Sequence, residues 1–328
     1  MRQDDRASFD RALHRARVSA YAPGEFVEQE SFMTAGEIRD LARQAGVARG
    51  VTVLDLCCGT GGPGRLLTGE LGCDYLGVDV SAGAVAIARQ RARDLPCRFA
   101  VAQVPSLPAG SFDVVLLLET MLAFEDKDAL IREIAAALRP GGRFAFTLEE
   151  GPPLTTAERA AMPDADTVSL TPLEDLTASL ERAGLAVTAH EDHSAAHRAT
   201  ATALAGAFAA DSRNIAAHIG RQALDDLLAA HRLWAEWLDA GRVRKLALVA
   251  ERCGARSRDA ATRLEPRVHT TARLPPAPFP GVGERKTLGA WHPERREAHG
   301  RRGRYSAEAG SGGRSLTCAP RPGSVGGS

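Results

Sequence analysis

The stretch VTVLDLCCGTGGPGRLL (51–67) limits what this chain can become more than any other. A short apolar run, VTVLDL (51–56), reads as a buried strand that passes straight into a glycine-rich turn and a helix through Leu67. Strand, tight turn and helix in immediate succession belong to a parallel α/β sheet, whose strands need crossover connections.

The rest of the first half repeats that rhythm. YLGVDV (75–80) reads as a second strand, and Ser81 caps a helix whose Ala84, Ile87 and Ala88 share one face. CRFAVA (97–102) and FDVVLLLE (112–119) read as the third and fourth strands, the latter apolar enough for burial on both faces. An amphipathic helix is predicted over 127–138, stopped by Pro140-Gly141-Gly142 before the strand RFAFTLE (143–149). Upstream, Thr34 and Glu37 make a capping box and Gly46 supplies a stop, so a helix is expected at 35–45. After a loop at 151–170, Thr171 is expected to cap a helix, with Pro172 at its first position and Glu174 completing a box. Strand six is LAVTAHE (185–191), residues 195–239 have helical spacing, and VRKLALVAE (243–251) closes the sheet as strand seven.

Zero formal net charge hides an asymmetry. Residues 1–252 hold about 27 basic and 35 acidic groups, and residues 253–328 about 14 and 6. The body thus has no basic surplus for nucleic acid, no apolar run approaches a membrane span, and no signal-peptide core opens the chain. Six cysteines lack paired spacing, and adjacent Cys57-Cys58 is a poor disulfide, so a reducing cytoplasm is expected, with plain packing preferred to a redox role. The Arg-, Gly-, Pro- and Ser-rich tail from about 254 reads as disordered.

Gly59-Thr60-Gly61-Gly62-Pro63-Gly64 matches the G-x-G-x-x-G dinucleotide fingerprint, so an NAD(P)-dependent oxidoreductase is one reading. Asp55, four positions before the first glycine, argues against a pyrophosphate there and suits a cationic ligand such as an α-amino group or a sulfonium. Asp79, 20 residues beyond Gly59, can accept both ribose hydroxyls of an adenosine under either reading.

Four ordered segments carry a resemblance: VLDLCCGTG (53–61), YLGVDVS (75–81), LPAGSFDVVLLLE (107–119) and LRPGGRFAF (138–146). Over about residues 35–251 the chain resembles the class I S-adenosylmethionine-dependent methyltransferases. Within them it looks most like the small-molecule branch with ubiquinone/menaquinone and sarcosine-type enzymes. The resemblance implies a doubly wound, mostly parallel seven-stranded Rossmann-like sheet with helices on both faces and a helical insert (195–239) before the last strand. It implies S-adenosyl-L-methionine as cofactor, a small-molecule methyl acceptor, a methyltransferase domain over 35–252 and an N-terminal segment (1–34) covering the active site. Asp55, Gly59 and Gly61 match the loop that holds the donor's methionine part, Asp79 the ribose acid, and Val80 the residue packed on adenine. Gln103 stands where an Asp is frequent and can accept from the adenine amino group, while Val104 offers its N–H. Cys57 sits in the same loop where a glycine is common. Tyr21 and Gln29 are acceptor contacts by analogy with segments that fold over the site.

Acceptor-side chemistry is read from the residues themselves. Glu119 ends strand four at the carboxyl edge, where open α/β sheets bind ligands, and either acts on the acceptor or caps a helix. His193 and His197 lie four apart, which on a helix puts both rings on one face, so His193 is a candidate base and His197 a pocket residue. Surface or capping roles are the alternative. No third ligand stands at a fixed spacing, so no metal is expected. A methyltransferase-fold subunit that binds without catalysing is the non-enzyme alternative.

Overall fold

Alternating apolar strands and amphipathic helices can bury both faces of a sheet only by winding helices onto each side. The computed structural model describes residues 13–104, 107 and 112–253. Along the first half run α1 (13–20), α2 (Ala35–Gln44), β1 (Thr52–Leu56), α3 (Gly62–Leu71), β2 (Asp74–Asp79), α4 (Ala82–Arg91), β3 (Arg98–Val101) and β4 (Phe112–Leu117). The second half comprises α5 (Lys127–Ala137), β5 (Leu138–Glu150), α6 (Thr156–Ala161), α7 (Leu173–Arg182), β6 (Leu185–Asp192), α8 (Ser194–Ala210), α9 (Ser212–Ile219), α10 (Arg221–Asp239) and β7 (Arg244–Arg252). The expected disordered tail lies outside the described residues.

Strand order is β3-β2-β1-β4-β5-β7-β6, with β7 antiparallel to both neighbours and β1 to β5 parallel. The order reverses between β1 and β4, which opens a crevice at their carboxyl ends. Pleating sends consecutive residues to opposite faces. Val53 accordingly joins Ile38, Leu67, Val85 and Ala88 from α2, α3 and α4. Leu54 joins Ile131, Ile134, Leu176 and Leu180 from α5 and α7. A third core unites Leu13 and Ala16 of α1 with Leu204, Phe208, Leu224 and Leu227 of α8 and α10. The N-terminal segment and the helices before β7 are therefore one packed body.

Thr34 and Ser81 cap α2 and α4 as their spacing predicts, the first with the full capping box. Three local expectations need correction. Thr171 does not cap α7: its backbone bridges to Glu150, so Pro172 takes the cap position with no side-chain bond. Pro140-Gly141-Gly142 does not separate α5 from the strand, because β5 already pairs at Leu138 and the triplet is a bulge between the Phe112 and Val114 registers. Strand four ends at Leu117, two residues short of Glu119. The 195–239 segment is helical as expected, in three pieces, α8, α9 and α10, that break at Asp211 and Gly220.

Gly64 completes the fingerprint for a packing reason. A Cβ there would stand 2.4 Å from the Tyr75 ring of β2, so α3 lies on the sheet only because this side chain is absent. Gly62 likewise faces the Val27 carbonyl at 2.1 Å from its would-be Cβ, where the N-terminal segment crosses the loop. Gly64→Ala should cost about 1–3 kcal/mol by overpacking. Gly69→Ala in the same helix, with nothing within 4 Å of the added Cβ, should instead stabilise by about 0.5–1 kcal/mol. Urea denaturation of the two variants checks the opposite signs.

Candidate active site

The loop from β1 to α3 is shaped by Asp79 at the end of β2. Its Oδ2 accepts the Gly59 N–H at 3.0 Å and its Oδ1 accepts the Ser81 N–H at 2.8 Å, so one carboxylate ties the glycine loop to the start of α4. Gly59 has φ +53° and no atom within 4 Å of a would-be Cβ, leaving its outer side open. Val80, next to Asp79, is 40% exposed, an uncovered apolar side chain beside a carboxylate. Gln103 is half-buried near the end of β3, and the Val104 side chain is core, so any ligand contact there falls to its backbone.

Two loop residues depart from their expected surroundings. The Asp55 side chain lies beneath the loop rather than on it, 2% exposed, and accepts a hydrogen bond from the Tyr75 hydroxyl. Burial pushes its pKa up to about 7, opposed by the Tyr75 bond and assisted by Asp79. Cys57 has φ +60°, the left-handed region that favours glycine, which is the physical reason a glycine is common at this position. Cys58 is buried, and burial drives its thiol far up, as a packing residue requires. The described cysteines form no disulfide.

A cavity opens beyond the carboxyl ends of β4 and β5, roofed by α8 and α10 and flanked by the N-terminal segment. Its floor is charged. Lys245 of β7 is 3% exposed and pairs with Glu119 at 2.5 Å and with Glu149 of β5. Burial alone would lift the Glu119 pKa, but Lys245 and then His197 outweigh it and hold the carboxyl below its ordinary value. Burial would depress Lys245, yet the two carboxylates keep it above the usual lysine range. Glu119 is itself at φ +60°, with its N–H on Thr147 Oγ1 at 2.6 Å and its Oε2 accepting the Phe32 N–H at 3.3 Å.

Apolar walls enclose this floor, with Phe32, Leu204, Leu227 and Trp234 among them. Set in those walls is His231, between Phe32 (ring centroids 5.5 Å) and Phe208 (5.2 Å). Its Nδ1 lies 2.8 Å from the Leu227 carbonyl and can only donate there, so Nε2 carries the lone pair. Burial lowers its pKa to about 4, and the ring is neutral near pH 7.

Among the candidates on this side, Glu119 and His197 line the cavity together. His193 does not line it: it caps α8 and holds Glu37 with Nδ1 (2.9 Å) and Glu191 with Nε2 (3.2 Å), which corrects its candidacy as the base. Tyr21 lines the cavity with its hydroxyl on the Ser31 carbonyl. Gln29 touches the cavity, but its amide is spent on Val27 N–H and on the Glu25 and Met33 carbonyls, so it shapes the N-terminal segment. Sequence reasoning missed Lys245, Glu149 and His231. The one readable signal was a lysine inside the apolar strand VRKLALVAE.

Residues 53–142 match the model of a methyltransferase domain. Methyltransferase GfsG of Streptomyces halstedii is 34% identical over 176 residues, which are 49% of this chain and 62% of that protein. The 27-O-demethylrifamycin SV methyltransferase of Amycolatopsis mediterranei is 30% identical over 214 residues, 62% of this chain and 79% of that protein. In fold, the chain is similar to the [4+2]-cyclase SpnF, with 23% identity, a TM-score of 0.62 and coverage of 76% of this chain and 95% of that one. This chain belongs to the class I S-adenosylmethionine-dependent methyltransferase family. The loop fits that family's cofactor: an open glycine edge, an exposed Val80 and the Asp79 carboxylate make a cradle for a nucleoside.

Lys245→Met would strand two buried carboxylates and should cost about 3–5 kcal/mol in urea denaturation. For His231, the unfolded chain binds a proton between pH 4 and 6.5 that the folded chain refuses, so its contribution shrinks stability as pH falls through that window. Asp55 has the opposite sign between pH 4 and 7. The difference between wild type and His231→Phe isolates the histidine and should change by roughly 2–3 kcal/mol from pH 6.5 to 4.

Proposed function

We propose that this protein methylates a hydroxyl of a largely apolar small molecule, bound between the β4–β5 edge and the α8–α10 roof. The observation that carries this reading is His231: a neutral imidazole, with its lone pair on Nε2, set between Phe32 and Phe208 in the wall of a cavity whose floor is charged. The rifamycin relative's name, which specifies a 27-O-demethyl substrate, supports an oxygen acceptor.

S-adenosylmethionine supplies a methyl group on a sulfonium, already activated for in-line displacement. Gly59 and Gly61 would offer their backbone to it, Asp79 the ribose acceptors and Val80 the apolar platform, and Gln103 with the Val104 N–H would hold the adenine. Asp55 would act at one remove, its carboxyl lying below the loop against the Tyr75 hydroxyl. On the acceptor side, the apolar walls exclude water and align the hydroxyl. As the new C–O bond forms, that hydroxyl becomes far more acidic than an imidazolium. His231 can therefore take its proton despite a pKa of about 4. The Glu119–Lys245–Glu149 group fixes the floor on which the acceptor rests. The N-terminal segment forms one side of the site, and α8 to α10 form its acceptor face. Cysteines without a disulfide accord with a reducing cytoplasm.

The test combines binding and turnover. Calorimetry should show S-adenosylmethionine binding to wild type, weakened at least tenfold by Asp79→Asn. Labelled donor with a panel of apolar hydroxyl compounds should give methyl ethers. His231→Phe should lower kcat by about 10²–10⁴ with donor affinity unchanged, and the ratio of wild-type to His231→Phe kcat/KM, which isolates the histidine, should be flat between pH 6 and 8. A thermal shift with NAD and none with S-adenosylmethionine would overturn the proposal in favour of an oxidoreductase. Donor binding without turnover would favour a binding subunit.

A further inference from the structure

A cluster outside the proposed chemistry joins α2 to α8. Glu37 comes from the first turn of α2, His193 from the cap of α8 and His197 from the next turn of α8. One ligand atom of each lies within 4.8 Å of the others. Glu37 Oε1 is 2.9 Å from His193 Nδ1, and Glu37 Oε2 is 3.6 Å from His197 Nε2. These separations straddle the roughly 3.3 Å edge of a tetrahedron built with ligand bonds of about 2.0–2.1 Å.

Hydrogen bonding does not account for the whole cluster. His197 is 1% exposed, and neither of its ring nitrogens has a hydrogen-bond partner. A buried polar ring in that state costs free energy unless something else engages it. Its two nitrogens face two different carboxylates: Nε2 faces Glu37, and Nδ1 faces Glu119 Oε2 at 3.8 Å. His193 repeats the arrangement, with Nδ1 on Glu37 and Nε2 on Glu191. Each imidazole thus turns one nitrogen to a shared centre and the other to a backing carboxylate, the outer-sphere pattern that orients metal-bound histidines. Glu37 is oriented too, because its Oε2 accepts the Thr34 N–H at 2.7 Å in the capping box. Four carboxylates, Glu37, Glu119, Glu149 and Glu191, thus form one chain of contacts with the two imidazoles and Lys245.

We propose that Glu37, His193 and His197 bind a divalent d-block cation of the zinc class. The cation pins the cap of α8 to α2 and fixes His197 as part of the cavity wall. Neutral imidazoles and one carboxylate are the ligand set that Zn²⁺ takes in three-residue sites. The inference stands apart from methyl transfer, since donor binding uses other residues and is measured separately.

Protein stripped with chelator is titrated with Zn²⁺ by calorimetry, beside metal analysis and Co²⁺ absorption spectra. About one Zn²⁺ should bind per chain, with visible Co²⁺ bands and a raised Tm for wild type. Glu37→Gln preserves the capping box, since Gln serves there as well as Glu, so this variant should fold, as should His193→Ala at the helix boundary. Each should weaken Zn²⁺ binding by more than about 100-fold, and Glu191→Gln, which removes only a backing carboxylate, by about 10–100-fold. Absence of stoichiometric binding to wild type would overturn the proposal. So would binding of full affinity in both ligand variants, which would assign the metal to the thiols. Donor calorimetry on the same samples shows whether the methyltransferase reading stands whatever the metal result.

Discussion

Lys245 places a positive charge inside the sheet, and much of the molecule is arranged around that fact. An ammonium at 3% exposure is tolerable only with close counter-charges. It has two, Glu149 on the neighbouring strand and Glu119 beyond the end of β4. Because β7 follows the helical segment and runs antiparallel to β5, this contact ties the last strand to the carboxyl edge of the parallel half. Glu119 is drawn into a left-handed conformation to meet it, with Thr147 and Phe32 holding it on either side. The floor of the cavity is thus a consequence of how the sheet is closed.

The two walls of the site have different physical origins. On the donor side, short bonds from Asp79 and close glycine packing shape a backbone surface, rigid because a Cβ at Gly61, Gly62 or Gly64 would collide with its neighbours. On the side of the cavity, side chains from α1, α8 and α10 build an apolar body of their own. The N-terminal segment links the two. Glu28 pairs with Arg91 of α4 at 2.9 Å, and Arg91 also bonds Thr60 in the glycine loop. Residues 21–32 meanwhile line the cavity through Tyr21 and Phe32. Backbone geometry suits a cofactor common to a family, and a side-chain wall suits an acceptor that differs among members.

Legibility in the sequence followed the range of the interactions. The capping box at Thr34–Glu37, the Ser81 cap and the strand–loop–helix rhythm were readable because each spans a few residues. The special character of position 57 was visible as a cysteine where a glycine is common, and its positive φ supplies the cause. Thr171 misled because a capping pattern competes with a strand-like bridge to Glu150 that no local signal announces. His193 misled differently. Its four-residue spacing from His197 was meaningful, but it brings the two histidines together at Glu37 and leaves His193 outside the cavity.

By itself the sequence determined the parallel α/β sheet, the glycine loop and the Asp79 position, and its four ordered segments carried the resemblance that implied the cofactor class. These depend on periodicity and on short spacings that survive in one dimension. Only the tertiary structure decided that Asp55 lies beneath the loop against Tyr75, that Glu119 meets Lys245, and that His231 stands in the cavity wall. Each is a contact between residues 20 to 126 positions apart or a burial imposed by packed helices. Charge and proton affinity in such places are set by what the fold brings near, which no local pattern encodes.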